Sequence, residues 1–538
     1  MKYFLSLLIV LLVCNSQKTK AQNNEKPNVL FIILDDLNDT VEGLGGHPQA
    51  KTPNMDKLMK RGVTFKKAYA NSPLCAPSRS SLLTSTYPQS SGVLNAYYVP
   101  AMNNLEWRKA PKLRNAKTFM EYFRDYGYQV HGTGKIFHNG DEDWSVWLDP
   151  ITGKSNFGFF PSWGPFPWDG KKQFSPNRYS HDFAVKHPSF KDVNALKVFT
   201  SLADVPNVPT NKEKGIPGYN GWRELGHAFR YESEEDRDLM ADELSAQWVV
   251  EKFENNRFYK PFMMAVGINR PHAPLIAPKK YFDMFPLDSI QLPPVNENDY
   301  DDIATIVKEN SAITNGIGEY KKFKRNGYDK KWVQAYLACV AFADAQVGKI
   351  LDALESSKYA KNTIVVLTSD HGYHMGEKMR YHKWSVWEEA NRVPFIVAGK
   401  GIPKNEVCET PISLVDIYPT LLDYCNLPKN KNLEGHSIIP LLKNPKKGIW
   451  DGPDLALGVV GYVNNKNKKI FEPHYTARSK DFRYILCSNG EEELYNHKLD
   501  PYEWKNIAND KKYAKIKASL KEQVFTLIGD SKFKPKEN

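Results

Sequence analysis

The sequence predicts an α/β fold in which a mostly parallel sheet is flanked by helices and a smaller α+β subdomain follows at the C-terminal end. Residues 28–34 (NVLFIIL), 262–269 (FMMAVGIN), 363–370 (TIVVLTSD) and 393–399 (VPFIVAG) are continuous apolar runs, the pattern of strands buried on both faces. Residues 330–355 form a long helical pattern between such strands. Strands that alternate with long helices are typical of a sheet covered on both sides.

Polar residues follow three of these strands at their carboxyl ends. Asp35 and Asp36 come after the first strand, Asn-Arg-Pro-His (269–272) after the second, and Asp370-His371 after the third. Ligands of open α/β sheets bind at that edge. The sequence therefore predicts that polar side chains from three separate segments meet at one edge of the sheet.

The first 21 residues resemble a secretory signal. They contain Lys2, an apolar run over residues 3–13, and a Thr-Lys-Ala ending that a signal peptidase can cut. A lipoprotein signal through Cys14 is the alternative, but Val13 is a poor residue before a lipidated cysteine. We expect a secreted or periplasmic protein, since no apolar run after Val13 is long enough to cross a bilayer.

The chain has 538 residues, which is enough for two packed units. We assign residues 22–442 to a catalytic α/β domain and 443–538 to the C-terminal subdomain, where 483–508 has the pattern of a hairpin with a Ser-Asn-Gly turn. Residues 139–231 form an insertion rich in aromatic residues. Most of its rings are expected to form a satellite core, and one or two to stack on a sugar. The aromatic residues considered for these two roles are Trp144, Trp147, Trp163, Phe166 and Trp168.

The charge and the cysteines narrow the class of protein. The formal charge is +11, and loss of the three lysines of residues 1–21, which contain no acid, leaves +8. A basic exported protein attracts polyanions. Five scattered cysteines remain, so the chain is not a disulfide scaffold. A bridge between Cys408 and Cys425 is possible.

One cysteine has an unusual position, in the segment SPLCAPSRSSLLTS (72–85). Pro77 suits the first turn of a helix, and Ser78 and Ser80 can satisfy its free N–H groups. Cys75 is therefore expected to point from a loop toward a helix N-terminus. Such a position has a positive potential and favours anions.

The aspartates and several basic residues together predict a site for an anion. Asp35, Asp36 and Asp370, with His371, offer mainly hard oxygen ligands for Ca²⁺ or Mg²⁺, although an Asp-Asp pair after a strand is often only a turn or a cap. Together with basic side chains they resemble a pocket for a doubly charged tetrahedral oxyanion. The basic candidates are Arg79, Lys135, Lys383, His138, His272 and His371.

Four motifs in order carry a resemblance to type I sulfatases. Residues 75–84 (CAPSRSSLLT) resemble the first family signature and 127–138 (GYQVHGTGKIFH) the second. Residues 270–282 (RPHAPLIAPKKYF) and 368–377 (TSDHGYHMGE) resemble the iduronate-2-sulfatase-like branch in particular. The resemblance runs from about Pro27 into the C-terminal subdomain, and it implies an alkaline-phosphatase/sulfatase-like fold.

The resemblance also implies a site. In the family the cysteine of the first signature is oxidised by a maturation enzyme to formylglycine, which here would be Cys75. One Ca²⁺ would be held by Asp35, Asp36, the modified Cys75, Asp370 and His371. The sulfate would be surrounded by Arg79, Lys135, His138, His272 and Lys383. Two residues depart from the pattern, Ser85 where the family usually has Gly and Val130 where it usually has Ser or Thr.

The implied mechanism starts from an aldehyde hydrate. One hydroxyl, deprotonated by Asp36 or a neighbouring base, attacks sulfur, and His272, or else His138, protonates the leaving alcohol. Loss of the proton on the second hydroxyl then releases sulfate and restores the aldehyde. A serine or threonine nucleophile lacks that second oxygen.

The expected function is therefore that of a carbohydrate sulfatase. Its substrate would be a sulfated polysaccharide or oligosaccharide, either a glycosaminoglycan with 2-O-sulfated uronate or an algal polymer such as ulvan. No nucleic acid partner is expected. A phosphonate or phosphate ester hydrolase on the same fold is one alternative, and a noncatalytic glycan-binding protein is another.

Overall fold

The computed structural model describes residues 26–94, 106–138, 144–159, 162–167, 198–205, 212–213, 221–224, 227–255, 258–309, 311–464 and 469–529. The signal segment 1–21 lies outside these ranges. The strands are β1 (Asn28–Asp35), β2 (Val63–Phe65), β3 (Ala68–Tyr69), β4 (Gln129–Gly134), β5 (Phe166–Pro167), β6 (Phe199–Ser201), β7 (Trp222–Glu224), β8 (His227–Phe229), β9 (Phe262–Pro271), β10 (Leu275–Ala277), β11 (Thr363–Ser369), β12 (His374–Met375), β13 (Tyr381–His382), β14 (Arg392–Val393), β15 (Phe395–Ala398), β16 (Glu406–Cys408), β17 (Ile412–Ser413), β18 (Leu455–Asn464), β19 (Lys469–Ser479), β20 (Phe482–Leu486) and β21 (Glu492–Asn496).

The helices are α1 (Pro53–Met59), α2 (Cys75–Thr84), α3 (Pro88–Ser91), α4 (Phe119–Asp125), α5 (Ala241–Glu254), α6 (Lys279–Phe282), α7 (Thr305–Glu309), α8 (Ser311–Arg325), α9 (Asp329–Ser356), α10 (Glu388–Asn391), α11 (Ile417–Tyr424), α12 (Ile439–Lys443) and α13 (Ala514–Ile528). Within the described ranges no helix combines the length and the apolar character needed to span a membrane.

The central sheet has seven strands in the order β16-β2-β15-β11-β1-β9-β4. Neighbouring strands are parallel except at β15, which runs antiparallel to both β11 and β2. The four apolar runs of the sequence supply β1, β9, β11 and β15, so the predicted mostly parallel α/β sheet is confirmed. The reversed direction of β15 was not predicted, because apolar content alone does not give strand direction.

Both faces of the sheet are buried, as the apolar runs require. Along β1, Leu30, Ile32 and Leu34 contribute to one core, together with α5 and α9. The alternate residues Val29, Phe31 and Ile33 contribute to a second core, together with α2, α4 and α11. The two helical layers hold the sheet rigid, so the carboxyl ends of its parallel strands form a fixed edge. Val130, one of the departures from the sulfatase pattern, is buried in the second core.

A second sheet lies near the end of the chain. Strands β18 to β21 form an antiparallel sheet in sequence order, and α13 contributes to its separate apolar core. The predicted hairpin is β20–β21, closed by the pair Leu486 and Glu492. The predicted C-terminal α+β unit is thus present, while the domain boundary at residue 443 stays a prediction.

Buried ion pairs join this sheet to α10, and a hydrogen bond continues the connection to β3. Glu388 of α10 accepts hydrogen bonds from Arg478 of β19 at 3.2 Å, from Arg483 of β20, and from the Tyr69 hydroxyl at 2.9 Å. Arg483 also donates to Glu503 at 2.5 Å. Because these groups are almost fully buried, each charge depends on its partners for stability.

The five cysteines of the described ranges are all buried and free. The possible bridge between Cys408 and Cys425 is therefore wrong. The two thiols have different partners: Cys408 bonds Thr410, and Cys425 bonds the hydroxyl of Tyr128.

Candidate active site

The edge formed by β1, β9 and β11 brings the predicted residues together. The ligand atoms of Asp35, Cys75, Asp370 and His371 lie within 4.8 Å of one another, and so do those of Asp35, Asp36, Cys75 and His272. All six side chains are buried. The topology of the sheet accounts for this arrangement, because β1 lies between β9 and β11 and all three strands end at the same edge.

Asp35 is the last residue of β1 and is completely buried. Lys135 donates to its Oδ2, and Arg79 Nη2 lies 3.4 Å from its Oδ1. Burial opposes ionisation, but Lys135, His272 and Arg79 outweigh it and hold the pKa of Asp35 well below its usual range. The carboxylate is therefore charged at neutral pH.

Asp36 has a left-handed backbone, with φ of 67°. Its N–H donates to Asp370 Oδ1 at 3.2 Å, and its Oδ1 accepts a hydrogen bond from Lys383 at 2.6 Å. Burial raises the pKa of Asp36, yet Lys383, His272 and His371 together lower it below its usual value. This turn directs the two adjacent carboxylates into the same site.

Cys75 is the first residue of α2 and only 2% exposed. The sequence placed it in a loop before the helix, whereas the helix begins at the cysteine itself. Its sulfur lies 3.1 Å from His371 Nε2 and 3.2 Å from Lys383 Nζ. This thiol is the group from which oxidation would form the predicted formylglycine.

Arg79 lies one turn after Cys75 and contacts Asp370. Its Nε donates to Asp370 Oδ2 at 2.9 Å, and its Nη1 donates to the carbonyls of Lys135 and Ile136. Burial raises the pKa of Asp370 in spite of Arg79. Burial lowers the pKa of His371, but Asp370 and Cys75 outweigh it and raise that pKa to about 9.

His272 occupies the opposite side of the site. Its Nε2 lies 4.0 Å from Asp36 Oδ2, and its Nδ1 donates to the carbonyl of Ala273. Burial, with Lys383, lowers the pKa of His272 to about 3 although Asp36 and Asp35 raise it. The ring is therefore neutral at neutral pH, and its Nε2 points into the site as an acceptor.

The remaining predicted residues are His138 and the aromatic residues of the insertion. Burial, with Lys135, lowers the pKa of His138 well below its usual range. Of the insertion, Trp147 and Phe166 are buried while Trp144 is exposed; Trp168 lies outside the described residues. Trp163 is stacked on His272, with ring centres 5.1 Å apart.

Comparison with known proteins identifies the family. The sequence profile of the family described as Sulfatase matches residues 27–427, which is most of the chain. The chain belongs to the sulfatase family. A second profile, described as the C-terminal part of N-sulphoglucosamine sulphohydrolase, matches residues 376–530. This sulfatase is thus a sulfuric ester hydrolase, and the noncatalytic alternative is set aside.

The chain is similar to other sulfatases over nearly its whole length. A protein named sulfatase from Formosa agariphila is 34% identical, with 96% of this chain and 90% of that protein covered. Iduronate 2-sulfatase of Mus musculus is 28% identical, with 94% and 96% covered. These relatives agree with the resemblance that the four sequence motifs carry.

Solved structures share the alkaline-phosphatase-like fold. One, in complex with its substrate D-glucosamine-2-N,6-O-disulfate, has a TM-score of 0.63 at 22% identity and covers 95% of this chain and 100% of its own. The phosphonate monoester hydrolase of Agrobacterium radiobacter has a TM-score of 0.68 at 19% identity, with 94% and 96% covered.

The donor set of the sulfatase fits the divalent metal that the family generally uses. Oδ1 of Asp35 is fully buried and accepts no hydrogen bond, and the guanidinium of Arg79 approaches it only to 3.4 Å. A closer cation or donor would offset the cost of burying this oxygen. Around it lie the carboxylates of Asp36 and Asp370 and the Nε2 of His371. Carboxylate oxygens in this number favour a hard cation over a thiolate zinc site.

Ser85 shows why the family usually has glycine at that position. It ends α2 with a left-handed backbone, at φ of 50°, a conformation that costs a residue with a Cβ roughly 1 kcal/mol. The serine hydroxyl donates to Val415 O at 2.7 Å and accepts from the N–H of Gly435 at 3.1 Å. These bonds offset the strain.

Sequence reasoning missed several residues that support the site. Asp242 accepts the N–H groups of Asn269 and Arg270 at 2.7 and 2.9 Å. Tyr336 donates to the carbonyl of Asp36 at 2.7 Å and stacks on Tyr373. No local motif marks these side chains, since their partners are distant along the chain. Their burial in a polar region identifies them, and burial is known only from the structure.

Proposed function

We propose that this sulfatase is exported and hydrolyses sulfate esters of a sulfated polysaccharide or its oligosaccharides. Its nucleophile would be a formylglycine made from Cys75. One Ca²⁺ would be held by the modified residue together with Asp35, Asp36, Asp370 and His371. The position of Cys75 carries this proposal. A buried thiol at a helix N-terminus, in contact with both Lys383 and His371, has the surroundings that an anionic reaction centre needs.

The formylglycine and the Ca²⁺ each have one role in this proposal. When formed, the hydrated formylglycine supplies a nucleophilic hydroxyl, and Ca²⁺ supplies positive charge near the oxygens of the sulfate. Everything else depends on side chains of the chain itself. Arg79 fixes Asp370 and reaches Asp35, so it keeps the carboxylates of the proposed metal site in place.

The sulfate oxygens are assigned to lysines. Lys383 lies between Asp36 and Cys75. From there its ammonium can contact an oxygen of a sulfate group that reacts at residue 75. Lys135 is fully buried beside Asp35. Such preorganised positive charge acts strongly because water is excluded.

Two groups handle protons. The ionised Asp36, or a neighbouring base, removes a proton from the nucleophile. His272 gives a proton to the leaving oxygen, with His138 as the second candidate. Because free His272 is neutral, we propose that the negative charge of a bound ester beside Lys383 and Lys135 raises its pKa and that the proton is taken up with the substrate.

The substrate class is supported by relatives. An ulvan-active sulfatase of Formosa agariphila is 26% identical over 96% of this chain, and iduronate 2-sulfatases are similar over much of it. We therefore propose either an ulvan-type polymer or a glycosaminoglycan with 2-O-sulfated uronate. Trp163, the aromatic residue beside His272, is the candidate for contact with the sugar.

Mass spectrometry of the exported protein tests the core of the proposal. We expect the peptide that contains Cys75 to show an aldehyde or its hydrate, and the intact mass to show loss of residues 1–21. An unmodified thiol in protein from the native host contradicts the mechanism. Retention of residues 1–21 contradicts export by a cleaved signal.

A panel of sulfated oligosaccharides tests the substrate. We expect sulfate release from ulvan or glycosaminoglycan fragments. Turnover of a simple aryl sulfate with no release from any sugar contradicts the carbohydrate assignment.

A phosphonate or phosphate ester hydrolase is the second candidate. It is favoured by the fold shared with the phosphonate monoester hydrolase of Agrobacterium radiobacter. Rates on matched sulfate and phosphonate esters of the same alcohol decide between the two. We expect the sulfate ester to react faster.

A further inference from the structure

We infer that Arg270 is a positioning residue, which binds the main chain of Trp163 and of His272 and thereby holds the indole against the imidazole. The inference concerns the orientation of His272 and rests on the proposed role of that residue as the proton donor.

The guanidinium of Arg270 donates to four main-chain carbonyls. Its Nε bonds Ile276 O at 2.9 Å and its Nη1 bonds His272 O at 3.3 Å. Its Nη2 bonds Trp163 O at 3.1 Å and Gly164 O at 2.8 Å. Arg270 is only 1% exposed. One side chain thus ties the loop after β9 to a segment about 106 positions earlier in the chain.

The stacked pair lies directly on this connection. The rings of Trp163 and His272 are 5.1 Å apart and inclined by 20°. Lys135 Nζ lies 5.5 Å from the centre of the same indole. Trp163 therefore contacts two of the residues assigned to the sulfate and its leaving group.

Neighbouring residues strengthen the same connection. Asn269 Nδ2 donates to Ser162 O at 2.8 Å, so two consecutive residues of β9 bind the segment 162–164. Asp242 accepts the N–H groups of both Asn269 and Arg270 and fixes the main chain from which they extend. The segment with Trp163 is bound from a rigid strand.

A guanidinium suits this task better than other side chains. It presents five N–H donors in a planar fork and stays charged. A lysine ammonium at the same place has three donors on one atom, which cannot reach four carbonyls arranged around a plane. The buried carboxyl of Asp242 and the half-buried carboxyl of Glu224 both interact electrostatically with Arg270.

The stack limits rotation of the imidazole. His272 Nδ1 is held by Ala273 O, and with Trp163 against the ring face, Nε2 is directed toward Asp36 and the Cys75 site. A proton donor that is displaced by about 1 Å loses up to about 100-fold in rate. This loss affects only substrates whose leaving group needs a proton.

Two substrates separate this role from a general structural one. In R270M and in W163L, we expect the rate constant for a sugar sulfate to fall about 10- to 100-fold. That for 4-nitrophenyl sulfate, whose leaving group departs without a proton, falls less than about 3-fold. The variant W163L leaves the buried charge of Arg270 in place, so it can be used if R270M does not fold. Because Trp163 is also the candidate for contact with the sugar, W163L is then decided by the reactivity of His272 toward diethyl pyrocarbonate and not by the ratio of the two rate constants.

R478M is the matched control. Arg478 is also a buried arginine that donates to a main-chain carbonyl and a carboxylate, but it belongs to β19. We expect it to lower the melting temperature without changing the ratio of the two rate constants. Equal losses on both substrates in R270M, or no loss on either, overturn the inference.

A chemical probe measures the stack without catalysis. Diethyl pyrocarbonate modifies neutral imidazole, and peptide mass spectrometry follows its reaction at His272. We expect modification at least about 10-fold faster in R270M and W163L than in the wild type or R478M, since His272 is 8% exposed. An unchanged rate overturns the inference. This result decides it even if the wild type releases no sulfate from sugars, in which case the proposed function fails by itself.

Discussion

Lys383 Nζ and Asp36 Oδ1 form a hydrogen bond of 2.6 Å beside the predicted nucleophile. The contact depends on an unusual main chain, because His382 and Trp384 on either side of the lysine have φ of 68° and 65°. Arg380 donates to the carbonyls of Lys383 and Trp384 and keeps that turn in place. The site thus holds its ammonium by fixing the backbone on both sides.

We expect the variant K383M to lower kcat/KM for sulfate esters about 100- to 1,000-fold, since one preorganised charge near the reacting group is lost. Initial rates over a range of substrate concentrations measure this. K280M, which replaces an exposed lysine of α6, is the control and should retain wild-type kinetics. Unchanged kinetics in K383M would exclude this lysine from the sulfate site.

Removal of the proposed metal should affect stability and activity together. We expect EGTA to lower the melting temperature and abolish sulfate release, and Ca²⁺ to restore both. A ligand at about 100 times its Kd stabilises the folded state by about 2.7 kcal/mol.

The variant D35N should lose this response, because Asp35 supplies a buried carboxylate oxygen that accepts no hydrogen bond. D288N, at an exposed position, should keep it. A melting temperature of the wild type that does not respond to EGTA or Ca²⁺ contradicts the metal site.

The carboxyl of Asp344 predicts a pH effect away from the active site. It is buried in α9 and accepts the N–H groups of Asn54 and Met55 at the start of α1. Burial raises the pKa of Asp344 to about 6 although these hydrogen bonds lower it. The folded state therefore binds this proton more tightly than the unfolded state, and stability falls as the pH rises from about 4 to about 6.

The variant D344N does not titrate and should lack this loss. We expect its stability relative to the wild type to increase by on the order of 2–3 kcal/mol between pH 4 and pH 7. Unfolding curves of both proteins at the two pH values measure the difference. A difference that is independent of pH would mean that Asp344 has an ordinary pKa.

The buried ion pairs between the C-terminal sheet and Glu388 of α10 predict a large loss of stability when they are broken. In R483M, Glu388 and Glu503 lose a shared partner, and the cost of an uncompensated buried charge is about 3–5 kcal/mol. Denaturant unfolding measures it. K498M removes an exposed pair with Asp481 and should cost less than about 1 kcal/mol; an equally small cost in R483M would contradict the assignment.

Much of the site could be predicted because the sequence concentrates it in short motifs at strand ends. Asp35, Asp36, Asp370 and His371 meet because β1 and β11 are adjacent and parallel, and apolar runs are enough to predict such strands. The bonds from Arg270 to Trp163 could not be predicted, since they join distant segments through space. The direction of β15 and the environments of Cys408 and Cys425 likewise depend on tertiary packing.

The burial of Cys75 has a consequence for the cell. A thiol that is 2% exposed and enclosed by Lys383 and His371 is out of reach of another protein's catalytic groups. If it is converted as we propose, the oxidation precedes folding, while residues 72–85 are still an extended peptide. Folding and oxidation then compete in time, and a chain that folds first stays permanently inactive. The fraction of working enzyme would then be decided before the chain has folded.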